Sequence, residues 1–201
     1  VGSGLALASA SPRADARDIG TAPETSAPAP STAAPSPEPV PPATVVVPSA
    51  PPVPSAPVAL ALPTTPDPVP LVPVGVAENG ALQLPDRPSV LGWYAAGALP
   101  GAPAGTALVA GHVDSAEFGA GPLETLAHLR LGDVVEVADA AGVSRRYAVE
   151  SRTSYPKADL PPEVFAADGP PRLALVTCGG AFDERTGQYA DNVVVIAVPA
   201  S

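Results

Sequence analysis

The stretch Leu173 to Ala197 reads LALVTCGGAFDERTGQYADNVVVIA. An apolar run, Leu173-Ala174-Leu175-Val176, ends in Thr177-Cys178. Two glycines follow, then a polar loop, then a second apolar run from Val193 to Ala197. Uninterrupted apolar runs of this length, bounded by turn residues, predict two buried strands. The only cysteine of the chain stands at the end of the first. Upstream, Ala107-Leu108-Val109-Ala110 predicts another strand, and it leads into Gly111-His112. A lone cysteine and a histidine, each just past a strand end, make a candidate nucleophile and base.

The chain has 201 residues, enough for one domain and a tail. Of its 30 prolines, 19 lie before Val74, so the composition describes two different objects. From residue 11 to about residue 56 the sequence is Pro/Ala/Ser/Thr-rich, with almost no large apolar side chains to bury. Residues 1–56 are therefore expected to be a disordered, partly polyproline-II segment, either a spacer or a tail of no specific use. Val45-Val46-Val47 is an isolated β-prone triplet within it. Val1 to Ala10 is apolar and small, and falls far short of the ~20 residues that span a bilayer. It fits the end of a removed membrane or signal segment as well as ordinary tail. The absence of an initial methionine suggests a fragment or a processed form.

The formal net charge of −10 argues against a nucleic-acid binder and against a polybasic membrane-surface patch. One cysteine and two histidines lack the ligand spacing of a zinc site, and no phosphate-binding glycine loop or G-x-S-x-G elbow is present. No metal and no cofactor is expected.

Residues 57–201 are expected to fold. Val58 to Leu62, Leu71 to Val76, Ala81 to Leu84, Thr106 to Ala110, Val134 to Val137 and Arg145 to Glu150 read as short strands. The prolines of the second suit an edge. Asp139 to Gly142 predicts a hairpin turn. Pro85 to Gly105 reads as a loop carrying the only tryptophan, and Tyr155-Pro156-Lys157 opens a second long loop. Leu123, Leu126, Leu129 and Leu131 give Gly121 to Leu131 a helical pattern that stops at Gly132. About eight strands and one or two short helices in ~145 residues predict a mostly β, closed or nearly closed barrel.

His112 stands at a strand end where Gly111 lets the backbone bend, and the alternative is a merely solvated histidine. His128, inside the leucine stretch, reads as a surface or packing residue. Cys178 is the candidate nucleophile, with an inert buried thiol as its alternative. Gly179 and Gly180 leave the sulfur open and offer backbone N–H groups to an oxyanion, and Thr177 can orient a substrate.

Together, Gly92-Trp93-Tyr94, Val109-Ala110-Gly111-His112-Val113-Asp114-Ser115, Tyr155-Pro156-Lys157, Thr177-Cys178-Gly179-Gly180-Ala181-Phe182-Asp183 and Tyr189-x-Asp191-Asn192 resemble the sortases, specifically the class F sortases of actinobacteria. The resemblance runs from about Pro57 to Val198. It implies an eight-stranded sortase β-barrel. It also implies an extracytoplasmic, membrane-anchored, monomeric cysteine transpeptidase, held by an N-terminal segment outside this chain. Such enzymes cleave an LPxTG-like sorting signal between Thr and Gly, hold the acyl group as a thioester, and pass it to an amine of a cell-wall precursor or a protein. Carried over by motif, Cys178 is the nucleophile and His112 the general acid/base. The third sortase residue is an arginine at the start of the strand after the catalytic loop. Here Asn192 occupies that position, with Arg185 as the nearest charged substitute and Arg172 expected at the far end of the barrel.

Two other readings remain at this point. A peptidoglycan L,D-transpeptidase also pairs His and Cys, but places them close together in a Ser-His-Gly-Cys motif that is absent here. A non-catalytic wall-binding or adhesive β-module on a proline stalk would leave Cys178 buried and inert.

Overall fold

The computed structural model describes residues 53–200. Residues 1–52, including most of the proline-rich segment and the Val45 triplet, lie outside the described residues. Ten strands are present among them: β1 (Pro57–Ala61), β2 (Val69–Val74), β3 (Leu91–Tyr94), β4 (Thr106–Ala110), β5 (Asp114–Ser115), β6 (Gly119–Ala120), β7 (Val134–Asp139), β8 (Ser144–Pro156), β9 (Arg172–Asp183) and β10 (Gln188–Pro199). Eight of them close a barrel in the order β1-β2-β3-β4-β9-β10-β8-β7, and β5 and β6 form a separate two-stranded ribbon. The mostly β, eight-stranded barrel expected from the sequence is the fold observed.

Strands β4, β9 and β10 explain why their sequences read as continuous apolar runs. Ala107 and Val109, Leu173 and Leu175, and Val193 and Val195 point into the barrel core. Their alternates Leu108, Ala110, Ala174, Val176 and Val194 pack in a second cluster, against Tyr94 of β3 and against Leu82, Leu84, Leu160 and Phe165 from the connecting segments. A strand buried on both faces needs apolar residues on both faces. Elsewhere the two-residue period is clear: β7 alternates buried Val135 and Val137 with half-buried neighbours.

Several expectations change. The Pro85 to Gly105 loop contains β3, four residues including the Gly92-Trp93-Tyr94 motif, which pair in parallel with β2 from Leu71↔Leu91 to Val74↔Tyr94. Ala81 to Leu84 makes no strand, only the single bridge Val76↔Leu82. β2 is not an edge. It uses its two sides in succession, pairing Val69 and Pro70 with β1 and Leu71 to Val74 with β3. A proline has no N–H to give, and this staggered pairing asks little of Pro70 and Pro73. β8 runs on to Pro156, so Tyr155-Pro156 closes a strand and only Lys157 begins the loop. β9 continues through both glycines to Asp183, and β10 begins at Gln188, so the polar loop is four residues long.

The leucine stretch forms a 3-10 helix, Pro122–His128, rather than an α-helix. Its leucines recur every third residue, which matches the three-residue turn of a 3-10 helix and keeps them on one face. Leu123, Leu126 and Leu129 are all buried in the barrel core, while Leu131 is exposed. Buried Arg152 of β8 donates to the Leu129 carbonyl and holds the end of this segment.

The β7–β8 turn is organised by Asp139. One carboxylate oxygen accepts from the backbone N–H groups of Ala141 at 3.0 Å and Val143 at 2.9 Å. The other accepts from Arg145. The Arg145 guanidinium, with the Val143 N–H, holds the Asp139 carboxyl down at about 2, from an ordinary 3.8. Nearby, burial pushes the Tyr147 hydroxyl above its ordinary value, although that oxygen accepts from the Gly101 N–H at 2.8 Å.

Candidate active site

β4 and β9 lie side by side and parallel, in register from Thr106↔Arg172 to Ala110↔Val176. Two residues past the last pair, one chain reaches His112 and the other Cys178. The alignment extends beyond the strands. The Gly111 N–H donates to the Val176 carbonyl at 3.2 Å. In return the buried Thr177 hydroxyl donates to the Gly111 carbonyl at 2.9 Å. Gly111 is required by space rather than by a bend: its φ is not positive, and a Cβ there would lie 2.5 Å from Leu91 Cδ2. Its role is to let the rim close over Leu91 next to His112.

Side-chain alternation then assigns the faces. Leu173 and Leu175 point into the barrel and Ala174 and Val176 out of it; the same alternation puts Cys178 on the outer face. On β10, Asn192 pairs directly with Cys178 on one side and with Tyr155 of β8 on the other. Cys178 and Asn192 therefore share an outer face. That face forms a groove of about 470 Å³ whose walls are Leu82, Leu84, Leu160, Phe165 and Val176, with His112, Thr177, Cys178, Asn192 and Lys157 as its polar members. A mostly apolar groove with a few converging polar groups is the usual form of a ligand site.

A second, much smaller cleft reaches Cys178 from the other side, between the 3-10 helix and β10. Glu124, His128, Gly179, Gly180 and Tyr189 line it. The Tyr189 hydroxyl donates to Asp114 at 2.7 Å, tying β10 to the ribbon that follows His112. Gly180 has φ +74°, where an L side chain is strained, and its missing Cβ would collide with the Asp191 carboxylate at 2.3 Å.

The candidate residues are thus sorted. Cys178, His112, Thr177 and Asn192 meet on one groove, and Gly179 lies beside Cys178 on the wall of the other cleft. Cys178 is half-buried, which does not fit an inert core thiol. Gly179 pairs with Asp191 within the ladder instead of standing in a loop. His128 is exposed, as expected of a surface residue, but on the wall of the small cleft. Arg185 lies in the loop beyond β9, its side chain 85% exposed and 3.5 Å from Asp183, and lines neither cleft. Arg172 opens β9, six residues or about 20 Å of strand from Cys178, at the opposite end as expected.

Lys157 was not singled out from the sequence as a site residue. Its Nζ lies 3.3 Å from Cys178 Sγ. One signal could have found it: it is the only lysine in the chain.

Among the described residues, no cluster of three or more His, Cys, Asp or Glu is arranged to hold a metal, and no helix is long and apolar enough to cross a membrane.

Comparison with known proteins agrees with the fold. No curated protein matches the chain. Solved structures do: a lid mutant of sortase A from Corynebacterium diphtheriae superposes with a TM-score of 0.54 at 18% identity, covering 71% of this chain and 69% of that one. Sortase A from the same organism gives 0.52 at 17%, over 74% and 62% of the two chains. Sortase C-1 from Actinomyces oris gives 0.54 at 19%, over 71% of each. At such identities the likeness speaks for the fold alone. Residues 68–200 match the family model of the Sortase domain, about two thirds of the chain, and on that ground the chain belongs to the sortase family.

Proposed function

We propose that this chain is a cysteine transpeptidase of the class F type, acting on an LPxTG-like sorting signal outside the cytoplasm, at the membrane surface. One observation carries the reading: the shared register of β4 and β9 brings His112 and Cys178 to the head of one groove. The apolar walls suit the Leu-Pro part of such a signal.

In the first step Cys178 Sγ attacks the carbonyl carbon of the signal's Thr. A thioester forms and the peptide C–N bond to Gly breaks. The leaving amine takes a proton from His112. In the second step an amine, from a cell-wall precursor or a protein, attacks the thioester carbon and gives its proton to His112. The C–S bond breaks and the Cys178 thiolate is restored. Asn192, opposite Cys178, donates a hydrogen bond to the carbonyl oxygen as it gains charge, and Thr177 and Gly179 shape the ground around it.

Mass spectrometry of the protein incubated with a library of LPxTG-like peptides tests this. The expected result is cleavage after Thr, with an acyl adduct on Cys178 that is absent from a folded Cys178→Ala variant. Neither adduct nor cleavage with any such peptide would sink the reading.

A further inference from the structure

Lys157 is the only lysine of the chain, and the other nine cationic side chains are arginines. Its ammonium lies 3.3 Å from the sulfur of the only cysteine. The contact is made across the sheet. Lys157 follows the end of β8, and β10, carrying Asn192, stands between β8 and β9. The side chain therefore reaches across two strand spacings of about 4.8 Å each. Pro156, with φ −50°, fixes the chain immediately before it, and the 3-10 turn Lys157–Asp159 leads away. The arrangement puts a point charge beside an atom that must become an anion. Asn192, at the nearest strand position, can donate a hydrogen bond but brings no charge.

We propose that Lys157 is a catalytic cation of this site, holding the Cys178 sulfur as a thiolate and stabilising the charge that forms when the sulfur adds to a carbonyl. The proposal rests on the reading of Cys178 as the nucleophile. A nearby cation favours thiolate over thiol, and the compact ammonium with its three donors can follow the negative charge from sulfur to oxygen. The role given to Lys157 is electrostatic, and the proton transfers remain with His112. The other titratable groups around the sulfur are His112 from the end of β4, Glu124 and His128 from the 3-10 helix, and Tyr189 and Asp191 from β10. Among the described residues, Lys157 is the one lysine or arginine lining either cleft. It is exposed, so its effect must be screened by salt.

The test is the rate at which iodoacetamide alkylates the folded protein at neutral pH, where a single cysteine makes the signal unambiguous. Lys157→Gln should slow alkylation about threefold to tenfold. The wild-type rate should fall between about 0.05 M and 1 M KCl, and the Lys157→Gln rate should not. Lys157→Arg should restore both the rate and the salt dependence. With a cleavable sorting-signal peptide, Lys157→Gln should lower kcat about tenfold and leave KM within about twofold. A Lys157→Gln protein that alkylates as fast as wild type, with the same salt dependence, overturns the proposal even if the peptide is cleaved. The expected alkylation pattern in a protein that cleaves no such peptide would keep Lys157 with Cys178 and discard the sorting-signal reading alone.

Discussion

The hydroxyl of Thr177 donates to the carbonyl of Gly111 at 2.9 Å, so the residues just before Cys178 and His112 are bonded to each other. Both are buried, and Thr177 borders the groove that Cys178 and His112 share. Thr177→Val keeps the shape and removes the donor, leaving a buried carbonyl short of a partner. The expected cost is about 1–2 kcal/mol in urea unfolding. Peptide cleavage should fall by more than that stability loss explains, because His112 and Cys178 lose their shared tie. Thr177→Ser should recover most of both. Full cleavage by Thr177→Val would show that strand pairing alone suffices.

Asn192 faces Cys178 across the β9–β10 ladder, whereas Arg185 is turned onto Asp183 in the exposed loop. Asn192→Ala should therefore lower kcat by about tenfold to a hundredfold, while Arg185→Ala stays within about twofold. Steady-state cleavage under matched conditions decides between them, and the opposite ranking would return the role to Arg185.

Asp139 sets how the barrel responds to acid. Its carboxyl titrates at about 2 in the folded chain against an ordinary 3.8, chiefly because of Arg145. A lowered folded value means stability that is fully present above 3.8 and lost as pH falls towards 2. Asp139→Asn should be less stable than wild type at neutral pH. The gap should close as pH drops through that window. Urea unfolding across the range measures it; a gap that stays constant with pH would remove the Arg145 pair as its cause.

Reading the sequence succeeded where burial leaves a mark. The inner runs of β4, β9 and β10 are covered on both faces, so Ala107 to Ala110, Leu173 to Val176 and Val193 to Ala197 had to be apolar, and His112 and Cys178 each follow two residues past such a run. It failed where pairing rather than burial makes the element. β3 has four residues, one of them glycine, and becomes a strand only because β2 and β4 flank it. The outer halves of β8, β9 and β10 carry polar and glycine residues that read as loop, yet they form the floor beneath Asn192 and Cys178. The leucine stretch reads as helical, and its three-residue period is the mark of the 3-10 turn it forms. Lys157 could not be placed because its contact spans three strands, and no local pattern in a sequence records that distance.

The parallel pairing of β4 with β9 also governs when the enzyme becomes an enzyme. Neighbours in a parallel sheet need a long crossover, and here everything from the ribbon to β8 intervenes. Contacts between residues so far apart in sequence form late, since their loop-closure entropy must be met before they return anything. Until β9 docks on β4, Cys178 can have Asn192 beside it across the short β9–β10 hairpin, but not His112. The meeting of Cys178 with His112 is then a late folding event, and the change in the alkylation rate of Cys178 during refolding would report barrel closure in real time.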